Sequence, residues 1–139
     1  MSQDCIETVA ALIADDSGRV LMVRKHGTDT FIHPGGKRER GEDSLATLAR
    51  ELGEEINVSF DPALAARLGR FEERAVHEPG MRVRAEVFVV AIDGSPRAGA
   101  EIAELAWVDP QRPETHRVAP LSRRHVLPAF VARSRECSA

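Results

Sequence analysis

Residues 36–58 of this 139-residue chain read GKRERGEDSLATLARELGEEINV, and their reading decides the fold. Gly36, Glu42, Arg50, Glu51, Glu54 and Glu55 stand in the spacing G-x5-E-x7-R-E-x-x-E-E. With each residue type at roughly 5–7% usage, six such fixed matches arise by chance in about one chain in 10^5. Glu51, Glu54 and Glu55 lie at i, i+3 and i+4, so on a helix they share one face. Leu45, Leu48, Ala49, Leu52 and Ile56 recur at helical spacing, with Asp43 or Ser44 as N-cap. At about 100° per residue, this apolar stripe lies roughly a right angle from the carboxylates. The helix can therefore pack on a core while its acids line the edge of a cleft. Arg50 is within i, i+4 reach of Glu54. An ordinary solvated helix is the plain alternative, but three acids on one face without matching bases repel one another, and a bound cation removes that repulsion.

Upstream, Pro34-Gly35-Gly36-Lys37 is a backbone-permissive turn carrying a cation. Together with Gly41-Glu42 and residues 36–58, it resembles the signature box and loop of the Nudix family of MutT-like pyrophosphohydrolases. The resemblance extends over most of the chain. Residues 101–109, EIAELAWVD, are similar to that family's strand beyond the box. One position departs: Asn57 stands where the family has glycine. Asn is the next-best residue for a left-handed helix cap, so the turn is expected to survive.

The length allows one domain over residues 1–139 and a modest core. Strands are expected at Thr8–Ile13 and Arg19–Val23, joined as a hairpin through Asp15-Asp16-Ser17-Gly18. Residues 25–35 read as a polar loop. Leu68–Val76 and Arg82–Ile92 read as an antiparallel pair about His77-Glu78-Pro79-Gly80, and Ile102–Val108 as a further strand. The tail from Leu121 to Arg135 reads as helical, with a kink or break at Pro128. Periodicity alone gives mixed α and β. The resemblance implies an α/β (α+β) fold of the Nudix type, a mixed β-sheet sandwiched between helices.

Composition excludes several classes. The longest apolar run, Val87–Ile92, is too short to span a bilayer. Met1–Asp4 lacks the basic and apolar regions of a signal peptide. Cys5 and Cys137 stand in no metal or redox spacing and read as free thiols, so a cytoplasmic location is expected without membrane contact. A formal charge of −3 gives no reason to expect a nucleic-acid-binding surface. Arg112, Arg117, Arg123, Arg124, Arg133 and Arg135 make a basic tail. Its ordinary reading is a solvated face; a phosphate-facing or subunit-facing role, including a homodimer, stays open.

A pyrophosphate linkage is shielded by its own oxygens, so a catalyst must neutralise them and aim a water in line. Carboxylate and carbonyl ligands suit Mg2+ or Mn2+. The resemblance implies metal ligation by Glu51, Glu54, Glu55 and the Gly35 carbonyl, with Arg50 orienting the adjacent glutamates. Family members differ in their general base, some using a box glutamate such as Glu51 or Glu54 and others a glutamate from the loop before the Trp-containing strand. Here Glu101 is the choice for a base or an extra ligand, and a solvated carboxylate is its plain alternative. Lys37 and Arg24 are candidate phosphate contacts. Phe31 and Phe71 are the aromatics available to stack a base, unless they are core. Trp107 reads as core. The five histidines show no metal-binding pairing and read as surface or loop residues, with His33 the one near the expected cleft.

For the substrate, absences speak. The chain has no tyrosine, and it lacks the family's motifs for dinucleoside polyphosphates, ADP-ribose, NADH and coenzyme A. Elimination leaves a nucleoside triphosphate cleaved to the monophosphate and pyrophosphate. The alternatives are another small diphosphate, such as ADP-ribose, a nucleotide sugar or a non-nucleotide, and a binding module without turnover. The complete set of Arg50 and box glutamates argues against the last.

Overall fold

The computed structural model describes residues 4–76 and 78–137. Numbered in chain order, the strands are β1 (Cys5–Leu12), β2 (Val20–Lys25), β3 (Gly35–Gly36), β4 (Ser59–Phe60), β5 (Ala66–Arg74), β6 (Arg82–Val89), β7 (Ile92–Asp93) and β8 (Ile102–Val108). The helices are α1 (Ser44–Ile56) and α2 (Leu127–Cys137). The main sheet has the order β3-β1-β6-β5 and is mixed: β1 runs parallel to β6, and the other two pairings are antiparallel. β2 pairs with β8, and β4 with β7.

Period-two alternation sends the strands' side chains into two cores. Val9, Ala11 and Ile13 join Leu21 and Val23 against Leu48, Leu52 and Ile56 of α1. Ala10 and Leu12 join Val20 and Met22 against Val126, just before α2, and Leu127, its first residue. This is the mixed sheet between helices that the resemblance implies, with Trp107 packed against the α1 core as expected.

Several boundaries follow the sequence closely. Asp43 is the N-cap of α1, its carboxylate accepting from Ala46 N at 2.8 Å. Asn57 ends the helix at φ 59°, ψ 38°, and its N–H donates to Leu52 O. The β5–β6 pair and β8 lie where expected. Residues 1–3 and His77 are outside the described residues, as is the side chain of Cys137; Cys5 is a free thiol.

Three expectations are corrected. The 15–18 turn forms, with Asp15 Oδ1 accepting from Ser17 N and Arg19 N at 3.0 and 2.9 Å, but the strands it joins do not zip into a hairpin. Both edges of β1 are taken by β3 and β6, so only a bridge between Ala14 and Val20 remains. Residues 25–35 are not a polar surface loop. Thr30, Phe31 and His33 are buried, and Phe31 and Ile32 bridge to Val118 and Val23. Pro128 does not break the tail: Ser122–Val126 winds as a π-helical turn whose wider ring passes into α2. Proline thereby falls at the second residue of the α-helix, where its missing N–H is tolerated. Among the described residues, no helix is long and apolar enough to cross a membrane.

Candidate active site

The site begins at the edge of the main sheet, where β3 consists of two glycines and carries no side chains. Gly35 has φ 149°, and a Cβ there would lie 2.1 Å from the Val9 carbonyl oxygen, so no other residue fits. A Cβ on Gly36 would lie 2.5 Å from the carboxyl carbon of Glu51. The missing side chains let α1 press its acids against the strand's backbone. Gly35 N donates to Glu55 Oε1 at 2.8 Å. From the other direction Gly99 N donates to Glu55 O at 2.7 Å, docking the loop before β8 on the helix end. That loop delivers Glu101.

Arg50 is the hub of this wall. Its Nε and Nη2 grip Glu42 at 2.7 and 3.0 Å, while Nη1 donates to Glu51 Oε1 at 2.8 Å and Nη2 to Lys37 O at 3.1 Å. Glu39 and Glu54 stand within ion-pair range at 3.6 and 3.7 Å. The guanidinium grip, helped by the Glu39 N–H, holds the Glu42 carboxyl down to about 2. Glu42 thus stays an anion that fixes Arg50, and Arg50 fixes Glu51.

Glu55 is 3% exposed, and burial pushes its carboxyl up to about 7. The Gly35 N–H and Lys25 oppose that rise, whereas Glu51 and Glu101 add to it by repulsion. The wall is short of positive charge. Among the described residues, no group of three His, Cys, Asp or Glu side chains forms a ready-made metal cage. In donor chemistry and charge, however, the residues fit a hard divalent cation: the donors are all oxygens, and a buried carboxylate is crowded by like charges.

A cleft of about 570 Å³ runs over the glycine edge. Glu51, Glu54, Glu101, Lys25 and Lys37 line it on the α1 side. Ala10, Ala85, Ala119, Leu121 and Ser122 line it toward α2. The structure therefore brings Gly35, Lys37, Arg50, Glu51, Glu54, Glu55 and Glu101 into one neighbourhood. It does not bring Arg24 or Phe31. Arg24 projects from the opposite face of β2, bonded to Glu104 and to Thr28 O at 3.2 and 2.8 Å. Phe31 is core beside α2, edge-on to His116 at 5.5 Å, and Phe71 packs on the same core.

Lys25 escaped the sequence reading, whereas His33 was placed near the cleft but as a surface or loop residue. Lys25 shares its face of β2 with Leu21 and Val23, so strand alternation could have preferred it to Arg24. His33 lines the cleft but is 7% exposed, and burial holds its imidazole down at about 4. No sequence signal marked it as buried.

Comparison with known proteins agrees with this arrangement. The RNA pyrophosphohydrolase of Halorhodospira halophila (strain DSM 244 / SL1) is 43% identical over 61 residues, 44% of this chain and 33% of that protein. The chain spans under two thirds of the curated relatives it matches, 33% and 64% of their lengths. Among solved structures, the E. coli ORF135 protein superposes with TM-score 0.74 at 26% identity, covering 94% of this chain and 91% of that one. The MutT protein of Methanosarcina mazei Go1 superposes with TM-score 0.75 at 23% identity, covering 100% and 99%. The NUDIX domain family model matches residues 6–130, which take in the glycine edge, the carboxylate helix and the loop carrying Glu101. A match of that extent, carried by a fold and a residue cluster that agree with it, makes this chain a member of the NUDIX family.

Proposed function

We propose that the protein is a divalent-metal-dependent hydrolase of phosphoanhydride bonds, acting on a nucleoside triphosphate to give the monophosphate and pyrophosphate. The observation that carries this reading is the crowding of Glu51, Glu55 and Glu101 against a glycine edge, with Arg50 tying Glu42 and Glu51 in place. Mg2+ or Mn2+ held by Glu51, Glu54, Glu55 and the Gly35 carbonyl would neutralise the phosphate oxygens that otherwise repel a nucleophile.

The chain's own residues do the rest. Arg50 keeps the Glu51 carboxylate oriented. Lys37 and Lys25 draw phosphate oxygens to the α1 side of the cleft, Lys25 taking the place first given to Arg24. Glu101 accepts the proton of the attacking water as its oxygen bonds to phosphorus and the anhydride P–O bond breaks. The organic part of the substrate lies over the glycine edge, toward α2.

A product-resolved hydrolysis panel, run with Mg2+ and with excess chelator, tests the reading. It contains the common and oxidised nucleoside triphosphates, ADP-ribose, nucleotide sugars, dinucleoside polyphosphates and a 5′-triphosphorylated RNA oligonucleotide. Metal-dependent release of pyrophosphate and a monophosphate is expected. Two monophosphates from a diphosphate-linked compound would replace the triphosphate assignment, and orthophosphate as first product would overturn the reading.

A further inference from the structure

His33 is the one residue among the described residues whose buried side-chain polar atoms meet no hydrogen-bonding group, and this is true of both ring nitrogens. An imidazole buried this way costs free energy that an apolar side chain of similar size would not. Its place in the fold explains what the ring can serve. Ile32 packs in the α1 core and Phe31 in the α2 core, so alternation turns His33 toward α2. Phe31 bridges in parallel to Val118, and Ala119 N donates to Phe31 O at 3.0 Å, so the next residues of the two segments run side by side into the cleft. There His33 lies with Ala10, Ala85, Ala119, Leu121 and Ser122. The small side chains of Ala10, Ala85, Ala119 and Ser122 leave room for a flat ring, and Lys25 stands away with the Glu55 carboxylate of α1. The lining named here is apolar or hydroxyl, which suits a heterocycle better than a phosphate; Arg74 of β5 also lines the cleft.

We propose that His33 is a specificity-determining residue, its ring hydrogen-bonding a carbonyl oxygen or ring nitrogen of the heterocycle that carries the phosphates. The proposal rests on the reading given under Proposed function. An imidazole offers one donor and one acceptor, so it can satisfy either kind of atom.

The test compares wild type, His33→Phe and His33→Gln in steady-state kinetics on the four common ribonucleoside triphosphates. Calorimetric binding of the four monophosphates and of inorganic pyrophosphate runs alongside, with thermal melts to confirm folding. His33→Phe is expected to raise KM for the preferred triphosphate by about tenfold, with kcat changed by less than about threefold. The spread of kcat/KM among the four bases should shrink by a similar factor, and pyrophosphate binding should not change. His33→Gln, which keeps a donor and an acceptor, should restore part of the preference; if the Phe variant fails to fold, His33→Leu takes its place, read by the same loss of base spread. Unchanged base ratios in folded His33→Phe, or an equal loss for all four, would overturn the proposal. So would a wild type that binds no monophosphate better than pyrophosphate. If wild type binds the monophosphates through His33 but hydrolyses no triphosphate, the reaction assignment fails and this one stands.

Discussion

Glu55→Gln in metal-free protein should stabilise the fold at alkaline pH and leave it unaffected in acid. The Glu55 carboxyl rises from 4.5 to about 7 on folding, through burial and the nearby charges of Glu51 and Glu101. A folded value above the unfolded one means that the native state binds the proton more tightly. The stabilisation is complete below 4.5 and lost as pH rises through about 7. At about 1.4 kcal/mol for each tenfold change in proton affinity, the loss is about 3 kcal/mol, or on the order of 10 °C in Tm for a domain of this size. Gln carries no charge and keeps an oxygen to accept from Gly35 N. The assay is thermal melting from pH 4 to 9 in chelator. The variant's Tm should match wild type near pH 4.5 and exceed it by several degrees at pH 8. Adding Mn2+ at pH 8 should reverse the order, because wild type alone gains the ion's binding energy. Parallel curves in chelator, or a variant less stable than wild type at pH 8, would refute the argument that Glu55 is a buried acid crowded by like charges.

Other substitutions test other parts of the site. Arg50→Lys removes the fork that holds Glu42 and Glu51, and should lower kcat/KM by at least about tenfold with the fold intact; kinetics and a melt together check this. Gly35→Ala meets the Val9 carbonyl at 2.1 Å and should cost several kcal/mol, on the order of 3 or more, read as a fall in the denaturant midpoint. Asn57→Ala puts a poorer left-handed residue at the α1 cap and loses the Nδ2 bond to Arg97 O at 2.9 Å, so it should cost about 1–2 kcal/mol. Asn57→Gly should cost less than Asn57→Ala in the same denaturant titration.

What the sequence revealed, and what it hid, follows the range of each signal. The α1 cap at Asp43, its end at Asn57 and its shared face of acids are set within a few turns of chain, and all three were readable. The pairing of β1 is different. Its parallel partner β6 lies 77 residues away, from Cys5 to Arg82, and nothing local to either strand names the other. The Asp15–Gly18 turn chemistry was read correctly, but β1 had better partners on both edges. Lys25 and Arg24 differ by one residue and therefore by one face, which is settled only once the core side of β2 is known. The burial of His33, though not its place near the cleft, was hidden because it depends on what packs over the ring. Here that is the Phe31–Val118 bridge and the tail that follows it. Pro128 was read as a kink or break inside the tail helix, but the π turn before it sets the proline near the start of α2, an arrangement that sequence rules do not supply.

The central claim is that the α1 acids gather a divalent cation on which hydrolysis depends. Mn2+ titration followed by electron paramagnetic resonance of the free ion tests it most directly, in wild type and in Glu54→Gln and Glu55→Gln. The same samples are assayed for triphosphate hydrolysis. The account predicts saturable binding in wild type, weakened at least about tenfold in each variant, with turnover falling at least about 10^2-fold. Unaltered Mn2+ binding in both variants, or turnover that survives excess chelator, would contradict it.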